Sequence, residues 1–98
     1  MESLASEYKK IDGQYKGDIK MFALSTCGWC KKTKAFLKDH DIAFSYVDVD
    51  LLPEDEQEEA LKEQRKYNPA GSFPTIVVDS NDVIVGYDLN ELNELMAG

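Results

Sequence analysis

The chain has 98 residues, 43% of them apolar and 31% charged, a composition that suits one small globular domain without room for a second core. Its net charge of −8 argues against nucleic acid and anionic membrane surfaces as partners. The sequence contains no apolar run of about 18 residues that would cross a membrane and no visible signal peptide, so we expect a cytoplasmic protein.

The first half of the chain predicts a βαβ unit behind an N-terminal extension. The extension, residues 1–18, is expected to be either a short helix or a disordered arm. Residues 19–25 form an apolar run typical of a buried strand, and a helix should follow over residues 28 to about 40, with Lys34 facing outward. Residues 43–49 alternate apolar and polar side chains, as a half-buried strand does. Such a unit predicts parallel strands with a right-handed crossover.

The second half of the chain predicts a helix, a hairpin and a final helix. Pro53 followed by three acids is a helix-start signal, and this helix should end near Tyr67. Residues 73–79 and 82–88 predict two strands joined by a short hairpin loop. Leucines spaced three apart near the C-terminus predict an amphipathic helix. The order βαβαββα over residues 19–98 predicts an α/β fold with a four-stranded mixed sheet flanked by helices.

Both cysteines lie at the predicted junction between the first buried strand and its helix. Cys27 would be the N-cap residue, with its sulfur facing unpaired backbone N–H groups that favour a thiolate. Lys31, with Lys32 and Lys34 behind it, would add positive charge that stabilises this thiolate. Cys30 lies one turn further into the helix, where we expect it to be buried and less acidic. We therefore predict that Cys27 attacks a substrate and that Cys30 resolves the intermediate.

Two other interpretations of the pair, zinc binding and structural burial, compete with redox chemistry. Two thiolates supply only two of the four ligands of a structural zinc site, and the single histidine, His40, is predicted at the other end of the helix. Two inert, buried cysteines would fit poorly with a position at a helix start. We therefore predict a redox-active pair and no metal site.

Three sequence blocks resemble the glutaredoxin family of the thioredoxin superfamily, and the resemblance extends from about Ile19 to Met96. The blocks are CGWCKKTKAFL, SFPTIVVD and VGYDLNEL. The first is similar to an active-site segment in which Cys-Pro-Tyr-Cys precedes a basic helix, so this chain would be a dithiol member with an atypical Cys-Gly-Trp-Cys motif. The resemblance implies a thioredoxin-like fold and thiol–disulfide oxidoreductase activity.

The resemblance also implies which residues bind substrate. They are Trp29, Phe73, Pro74, Gly86, Tyr87 and Asp88. Pro74 would follow a cis peptide bond, and the Phe73 backbone would pair with a peptide-like substrate in the manner of strand addition. Trp29 would line the substrate groove. Gly86 would allow close approach, and the backbone N–H groups near Tyr87 and Asp88 at the start of the last helix would bind a carboxylate.

Because the sequence departs from the family pattern, more than one reductant and more than one function are compatible with it. Leu24 and Gly71 stand where many glutaredoxins carry basic residues that bind carboxylates of glutathione. The expected reductant is therefore glutathione, another low-molecular-weight thiol coenzyme, or a donor of the thioredoxin-reductase type. Gly28 replaces the usual proline, and family members without this proline include iron–sulfur carriers. The alternative function is thus a homodimer that shares a [2Fe–2S] cluster through Cys27 and two small-molecule thiols.

The expected function is reduction of protein disulfides, or of mixed disulfides with small thiols, by a Cys27/Cys30 dithiol in a monomeric protein with no obligatory cofactor. Its partners would be disulfide-containing proteins and the thiol donor, with no nucleic acid and no membrane. A third hypothesis is a binding module whose affinity for a partner depends on the redox state of the pair.

Overall fold

A mixed β-sheet of five strands runs through the structure, a computed structural model that describes residues 8–79 and 82–97. In chain order the elements are β1 (Lys9–Ile11), β2 (Ile19–Ala23), α1 (Gly28–Asp39), β3 (Phe44–Asp48), a 3-10 turn (Val49–Leu51), α2 (Glu54–Tyr67), β4 (Thr75–Val78), β5 (Asp82–Val85) and α3 (Leu89–Ala97). The order of strands across the sheet is β1-β3-β2-β4-β5. β2 and β3 are parallel, and the other neighbouring pairs are antiparallel. The predicted α/β fold with a mixed sheet is confirmed.

The sheet has five strands instead of the predicted four, because the segment predicted to be a short helix or a disordered arm contributes one. This strand, β1, pairs antiparallel with β3. Residues 1–7 of the segment lie outside the described residues, as do residues 80 and 81 of the predicted hairpin loop. The sequence of β1, Lys-Lys-Ile, has no alternation of apolar and polar residues, and both of its lysines are exposed. It forms because β3 offers an unpaired edge, which is a tertiary effect.

Apolar side chains cover both faces of the sheet, because β2 and β4 run through its centre and are largely buried. One face packs against α1 and α3 through a cluster that includes Met21, Leu37 and Leu92. The other face packs against α2 and the 3-10 turn through a second cluster that includes Phe22 and Ala60. Helices therefore flank the sheet on both sides, as predicted.

The helices are surface elements that bury one side. α1 buries Cys30, Thr33 and Leu37, which recur at three and four residues. α2 begins at Glu54, directly after Pro53, so the proline occupies the cap position rather than the predicted first helical position. In the part of the chain that the structure describes, no helix has both the length and the apolar character needed to cross a bilayer.

The N-terminal segment approaches the start of β3 closely at Gly13. The Gln14 N–H donates to the Asp41 carbonyl at 2.6 Å, and the Gln14 carbonyl accepts from the Ala43 N–H at 2.9 Å. A Cβ atom at Gly13 would lie 2.7 Å from the Ala43 nitrogen and 2.7 Å from the Ile42 carbonyl carbon, both of them backbone atoms. This contact therefore requires glycine.

We expect Gly13→Ala to lower the free energy of unfolding by about 1–3 kcal/mol, because the added methyl group overlaps backbone atoms. Gly28→Ala is the matched control, since nothing lies within 4 Å of its Cβ position and alanine favours a helix more than glycine does. Urea unfolding of both variants measures the difference. A Gly13→Ala variant as stable as the unmodified protein would contradict the close approach.

Candidate active site

The register of the sheet brings three loops to one end of it. Near the end of β2, Phe22 pairs with Thr75 at the start of β4, and Thr75 pairs with Val85 at the end of β5. The loop before α1, the loop before β4 and the loop after β5 therefore lie at the same end of the sheet. These loops and the first turn of α1 carry all the predicted site residues: Cys27, Trp29, Cys30, Lys31, Phe73, Pro74, Gly86, Tyr87 and Asp88.

Cys27 caps the N-terminus of α1, as predicted. Its φ and ψ angles of −83° and 117° are extended, and its sulfur accepts a hydrogen bond from the Cys30 backbone N–H at 3.2 Å. The preceding turn is closed by a hydrogen bond from the Cys27 N–H to the Leu24 carbonyl at 3.1 Å. The side chain is half-buried. The Cys27 sulfur therefore lies at the positive end of the helix dipole and accepts a backbone N–H donor.

Cys30 is fully buried, with 0% of its surface exposed, and belongs to the cluster that joins α1 to the sheet. Burial raises the pKa of the Cys30 thiol to about 12, and the hydrogen bond with Cys27 acts in the same direction. The positive charge of Lys34 opposes these effects. Cys30 is therefore a protonated thiol at neutral pH, and Cys27 is the accessible sulfur of the pair. The predicted contrast in burial is confirmed.

Lys34 turns inward, so the prediction that it faces solvent is wrong. Its Nζ lies 2.9 Å from Asp48 Oδ1 and 4.0 Å from the centroid of the Tyr46 ring, and its side chain is 15% exposed. Lys34 follows Cys30 by four residues and therefore shares its face of α1. The partner carboxylate belongs to β3, so helical periodicity alone did not reveal this ion pair. Lys31 is exposed, and its role in stabilising the thiolate stays a prediction.

Trp29 and Tyr87 form an aromatic surface next to the cysteine pair. Their rings stack, with centroids 5.8 Å apart and an interplanar angle of 27°. The Nζ of Lys32 lies 4.8 Å from the centroid of the Trp29 ring, and Trp29 remains 57% exposed. The stack joins the first turn of α1 to the loop after β5. It leaves exposed apolar surface beside the positive charge of Lys32, at the end of the sheet that carries Cys27.

A carboxylate anchors the loop that precedes Cys27. The backbone N–H and the hydroxyl of Ser25 both donate to the Asp50 carboxylate, at 2.8 and 2.5 Å. These bonds lower the pKa of Asp50, with the hydroxyl as the larger cause. Sequence analysis missed the pair because its members are 25 positions apart and belong to no motif. Because Ser25 is two residues before Cys27, the contact restrains the turn that places the sulfur.

The Phe73–Pro74 peptide bond is cis, as the resemblance predicted. The Pro74 carbonyl accepts a hydrogen bond from the Gly86 N–H at 2.8 Å, which joins the loop before β4 to the loop after β5. Gly86 has a φ of +78°, a left-handed conformation that favours glycine, and nothing lies within 4 Å of its Cβ position. Phe73 is half-buried and packs against both hydrophobic clusters. The substrate-binding roles of these residues stay predictions.

The side-chain carboxylate of Asp88 lies at the start of α3. The Oδ1 atom of Asp88 accepts a hydrogen bond from the Glu91 N–H at 3.2 Å, and the Asp88 carbonyl accepts one from the Leu92 N–H at 2.9 Å. The negative charge of Asp88 therefore lies where the sequence predicted that a substrate carboxylate binds. An anionic substrate group at this helix start would meet repulsion as well as N–H donors.

The cysteine pair is not part of a metal centre made by the described residues, among which no group of three or more His, Cys, Asp or Glu could hold a metal ion. His40 lies at the C-terminal cap of α1, at the far end from Cys27. Because Cys30 is buried, each chain offers one accessible cysteine sulfur, whereas a [2Fe–2S] cluster takes four sulfur ligands. A cluster at Cys27 would therefore need a second chain and two external thiols.

Comparison with known proteins agrees with this geometry. The family model for glutaredoxin matches residues 19–83, which is more than half of the chain. A Clostridium pasteurianum protein, described as an uncharacterized glutaredoxin-like 8.6 kDa protein in rubredoxin operon, is 37% identical over 78 residues. That alignment covers 80% of this chain and 96% of the clostridial protein.

Two archaeal crystal structures are similar over most of their length. The glutaredoxin from Methanosarcina mazei Go1 has a TM-score of 0.85 and 41% identity, covering 94% of this chain and 89% of its own. The methanoredoxin of Methanosarcina acetivorans has a TM-score of 0.84 and 43% identity, covering 88% of this chain and 90% of its own. The family match spans both cysteines and the cis-proline loop. The fold, the site geometry and these similarities together show that the chain belongs to the glutaredoxin family of the thioredoxin superfamily.

Proposed function

We propose that the protein is a thiol–disulfide oxidoreductase that reduces protein disulfides, or mixed disulfides with small thiols, through the Cys27/Cys30 dithiol. The observation that carries the proposal is the pairing of one accessible and one buried sulfur at a helix start. The two cysteines are joined by the 3.2 Å bond from the Cys30 N–H to the Cys27 Sγ. This difference in accessibility suits attack by one sulfur and resolution by the other.

The reaction begins when the Cys27 thiolate attacks one sulfur of a substrate disulfide. A Cys27–substrate disulfide forms, the substrate S–S bond breaks, and the second substrate sulfur leaves as a thiolate that takes a proton from water. Cys30 then loses its proton and attacks the Cys27 sulfur, which releases the remaining substrate sulfur as a thiol. The substrate has gained two electrons and two protons, and the protein holds a Cys27–Cys30 disulfide. Two thiol groups of a donor reduce that disulfide again.

Substrate contacts would come from the aromatic surface and the cis-proline loop. An extended peptide would pair with the Phe73 backbone while its apolar side chains pack on Trp29 and Tyr87. Open space at Gly86 leaves room for the peptide, and the charge of Asp88 disfavours an acidic group at the start of α3. The preferred substrates are therefore disulfides in segments that place no acidic side chain there.

The thiol donor in this proposal is glutathione, another low-molecular-weight thiol coenzyme, or a donor of the thioredoxin-reductase type. Neither Leu24 nor Gly71 offers the basic side chain that binds a carboxylate in many glutaredoxins. The two similar archaeal structures are named a glutaredoxin and a methanoredoxin, so the test should extend beyond glutathione. The rate at which each member of a thiol panel reduces the Cys27–Cys30 disulfide identifies the donor. A cytoplasmic setting, where thiols are kept reduced, suits any of these donors.

The alternative, a [2Fe–2S] carrier, has one observation in its favour. Gly28 is exposed and nothing lies within 4 Å of its Cβ position, which leaves room beside Cys27 for a group larger than a substrate sulfur. Anaerobic reconstitution with iron, sulfide and a small thiol would then give visible absorbance and a dimer on size-exclusion chromatography. A colourless monomer after this treatment would count against the carrier and leave the oxidoreductase.

Cys27→Ser should abolish disulfide reduction, because it removes the attacking sulfur. Cys30→Ser should keep part of the activity on mixed disulfides with small thiols, since an external thiol can resolve the intermediate in place of Cys30. Turnover of a protein disulfide and of a glutathionylated peptide by each variant measures both effects. Full activity in Cys27→Ser, or equal losses in the two variants on both substrates, would contradict the assigned roles.

The resolving step should become faster as the pH rises, because Cys30 must lose its proton. In protein that carries a thionitrobenzoate group on Cys27, release of that group should accelerate as the pH rises from about 7 to about 9, because burial raises the pKa of the Cys30 thiol above this range. Burial, the largest cause of the raised pKa, does not depend on the Cys27 thiolate. Stopped-flow absorbance follows the release, with Cys30→Ser as the non-releasing control. A rate that stays constant over this range would contradict a resolving thiol with a raised pKa.

A further inference from the structure

A cluster of polar residues, three of them buried, lies behind the cis-proline loop. This polar cluster consists of Gln64 and Asn68 at the end of α2, and Ser72 and Thr75 on either side of the Phe73–Pro74 bond. Gln64 and Thr75 are 0% exposed and Asn68 is 5% exposed, whereas Ser72 is exposed. The chemistry of the proposed reaction makes no use of the three buried side chains, so their burial needs another explanation.

The hydrogen bonds of the polar cluster converge on the Ser72 carbonyl and on Thr75 Oγ1, and Asn68 Nδ2 also donates to Ser72 Oγ at 3.1 Å. That oxygen accepts from Gln64 Nε2 at 2.8 Å, from Thr75 Oγ1 at 2.8 Å and from Asn68 Nδ2 at 3.4 Å. Thr75 Oγ1 in turn accepts from Gln64 Nε2 at 3.2 Å and from Asn68 Nδ2 at 3.0 Å. A carbonyl only accepts, so these contacts fix the Gln64 amide with Nε2 toward the loop. The Ser72 carbonyl is thereby held toward α2.

The direction of this carbonyl determines the direction of the next N–H. The Ser72–Phe73 peptide is trans, and the carbonyl and N–H of a trans peptide point in opposite directions. Because the Ser72 carbonyl faces α2, the Phe73 N–H faces away from α2. Cys27 and Tyr87 pack against the cluster on the opposite face of the sheet from α2. The Phe73 N–H therefore faces the side of the sheet that carries the redox site.

The Phe73 backbone is also left available. Among the backbone hydrogen bonds that the described residues make outside helices and strands, none involves Phe73. An unpaired N–H held in one direction is what strand addition by a peptide requires, because the partner carbonyl then meets a donor that needs no rearrangement.

Gln64 has two opposing effects on the stability of the fold. Its Oε1 atom is buried and has no hydrogen-bond partner, which is unfavourable relative to an apolar side chain of similar size. Its Nε2 atom donates two hydrogen bonds, which are favourable and which hold the loop. Because the two effects oppose each other, we expect a substitution of Gln64 to change the position of the loop more than the stability of the fold.

We propose that Gln64 and Thr75 are positioning residues for peptide recognition, acting through the Ser72 carbonyl to aim the Phe73 N–H at a substrate backbone. The inference rests on the proposed function and names its substrate class as disulfides within extended peptide segments. Substitution of Gln64 or Thr75 should therefore not affect reduction of a disulfide that has no peptide backbone.

The experiment compares a disulfide-linked peptide with hydroxyethyl disulfide, which has no backbone to pair. In Gln64→Leu and Thr75→Val, KM for the peptide should rise about 3- to 10-fold, as expected for the loss of one or two hydrogen bonds. Activity on hydroxyethyl disulfide and the rate of Cys27 alkylation by iodoacetamide should not change. The melting temperature of Gln64→Leu should change little, because loss of the two Nε2 hydrogen bonds is offset by removal of the unpartnered Oε1 atom. Thr75→Ser, which keeps the hydroxyl, should restore the KM of the peptide.

The other outcomes distinguish failure of the proposed function from failure of the positioning role. An unmodified protein that reduces neither substrate would overturn the proposed function. If it reduces both, an unchanged peptide KM in Gln64→Leu would overturn the positioning role alone. Parallel losses of melting temperature, alkylation rate and activity on both substrates would show a purely structural role and also overturn it.

The position of the Phe73 N–H can be measured without activity. In amide NMR spectra, the Phe73 signal should be single in the unmodified protein and broadened or shifted in Gln64→Leu, because the loop loses a donor. A Phe73 signal identical in the two proteins would overturn the inference even if the protein had no reductase activity.

Discussion

The hydrogen bond from the Cys30 N–H to the Cys27 sulfur is the contact on which the geometry of the candidate site depends. An N-cap side chain reaches the N–H of the second or third residue of its helix, and Cys30 is the third residue of α1. The spacing of the two cysteines is therefore a property of helix geometry. The same geometry exposes the first sulfur at the end of the helix and places the second in the core.

Each loop around that contact is restrained by a residue from a distant element. Asp50 holds the turn before Cys27, the Trp29–Tyr87 stack joins α1 to the loop after β5, and Gln64 reaches the loop before β4. The loops lie together because the register of β2, β4 and β5 places their ends side by side. The site is thus positioned by the sheet and held by contacts that come from outside the loops themselves.

Sequence patterns predicted the parts of the molecule that local signals determine. The apolar run of β2, the cysteine spacing and the Pro53–acid signal placed two helices and the sulfur pair correctly. The misses depend on partners far away in the chain. Lys34 turns inward because Asp48 lies on β3, and β1 exists because β3 has a free edge. Gln64 is a polar residue whose burial and whose partners appear only in the folded chain.

Full burial of Cys30 also bears on chemical damage. Cys27 is half-buried and open to a small oxidant such as peroxide, while Cys30 is shielded. A sulfenic acid at the outer sulfur would have a thiol within the same helical turn, and the two would condense to a disulfide with loss of water. This condensation would compete with irreversible oxidation to the sulfinic acid. The geometry thus favours an oxidised form of the pair that a reductant can restore.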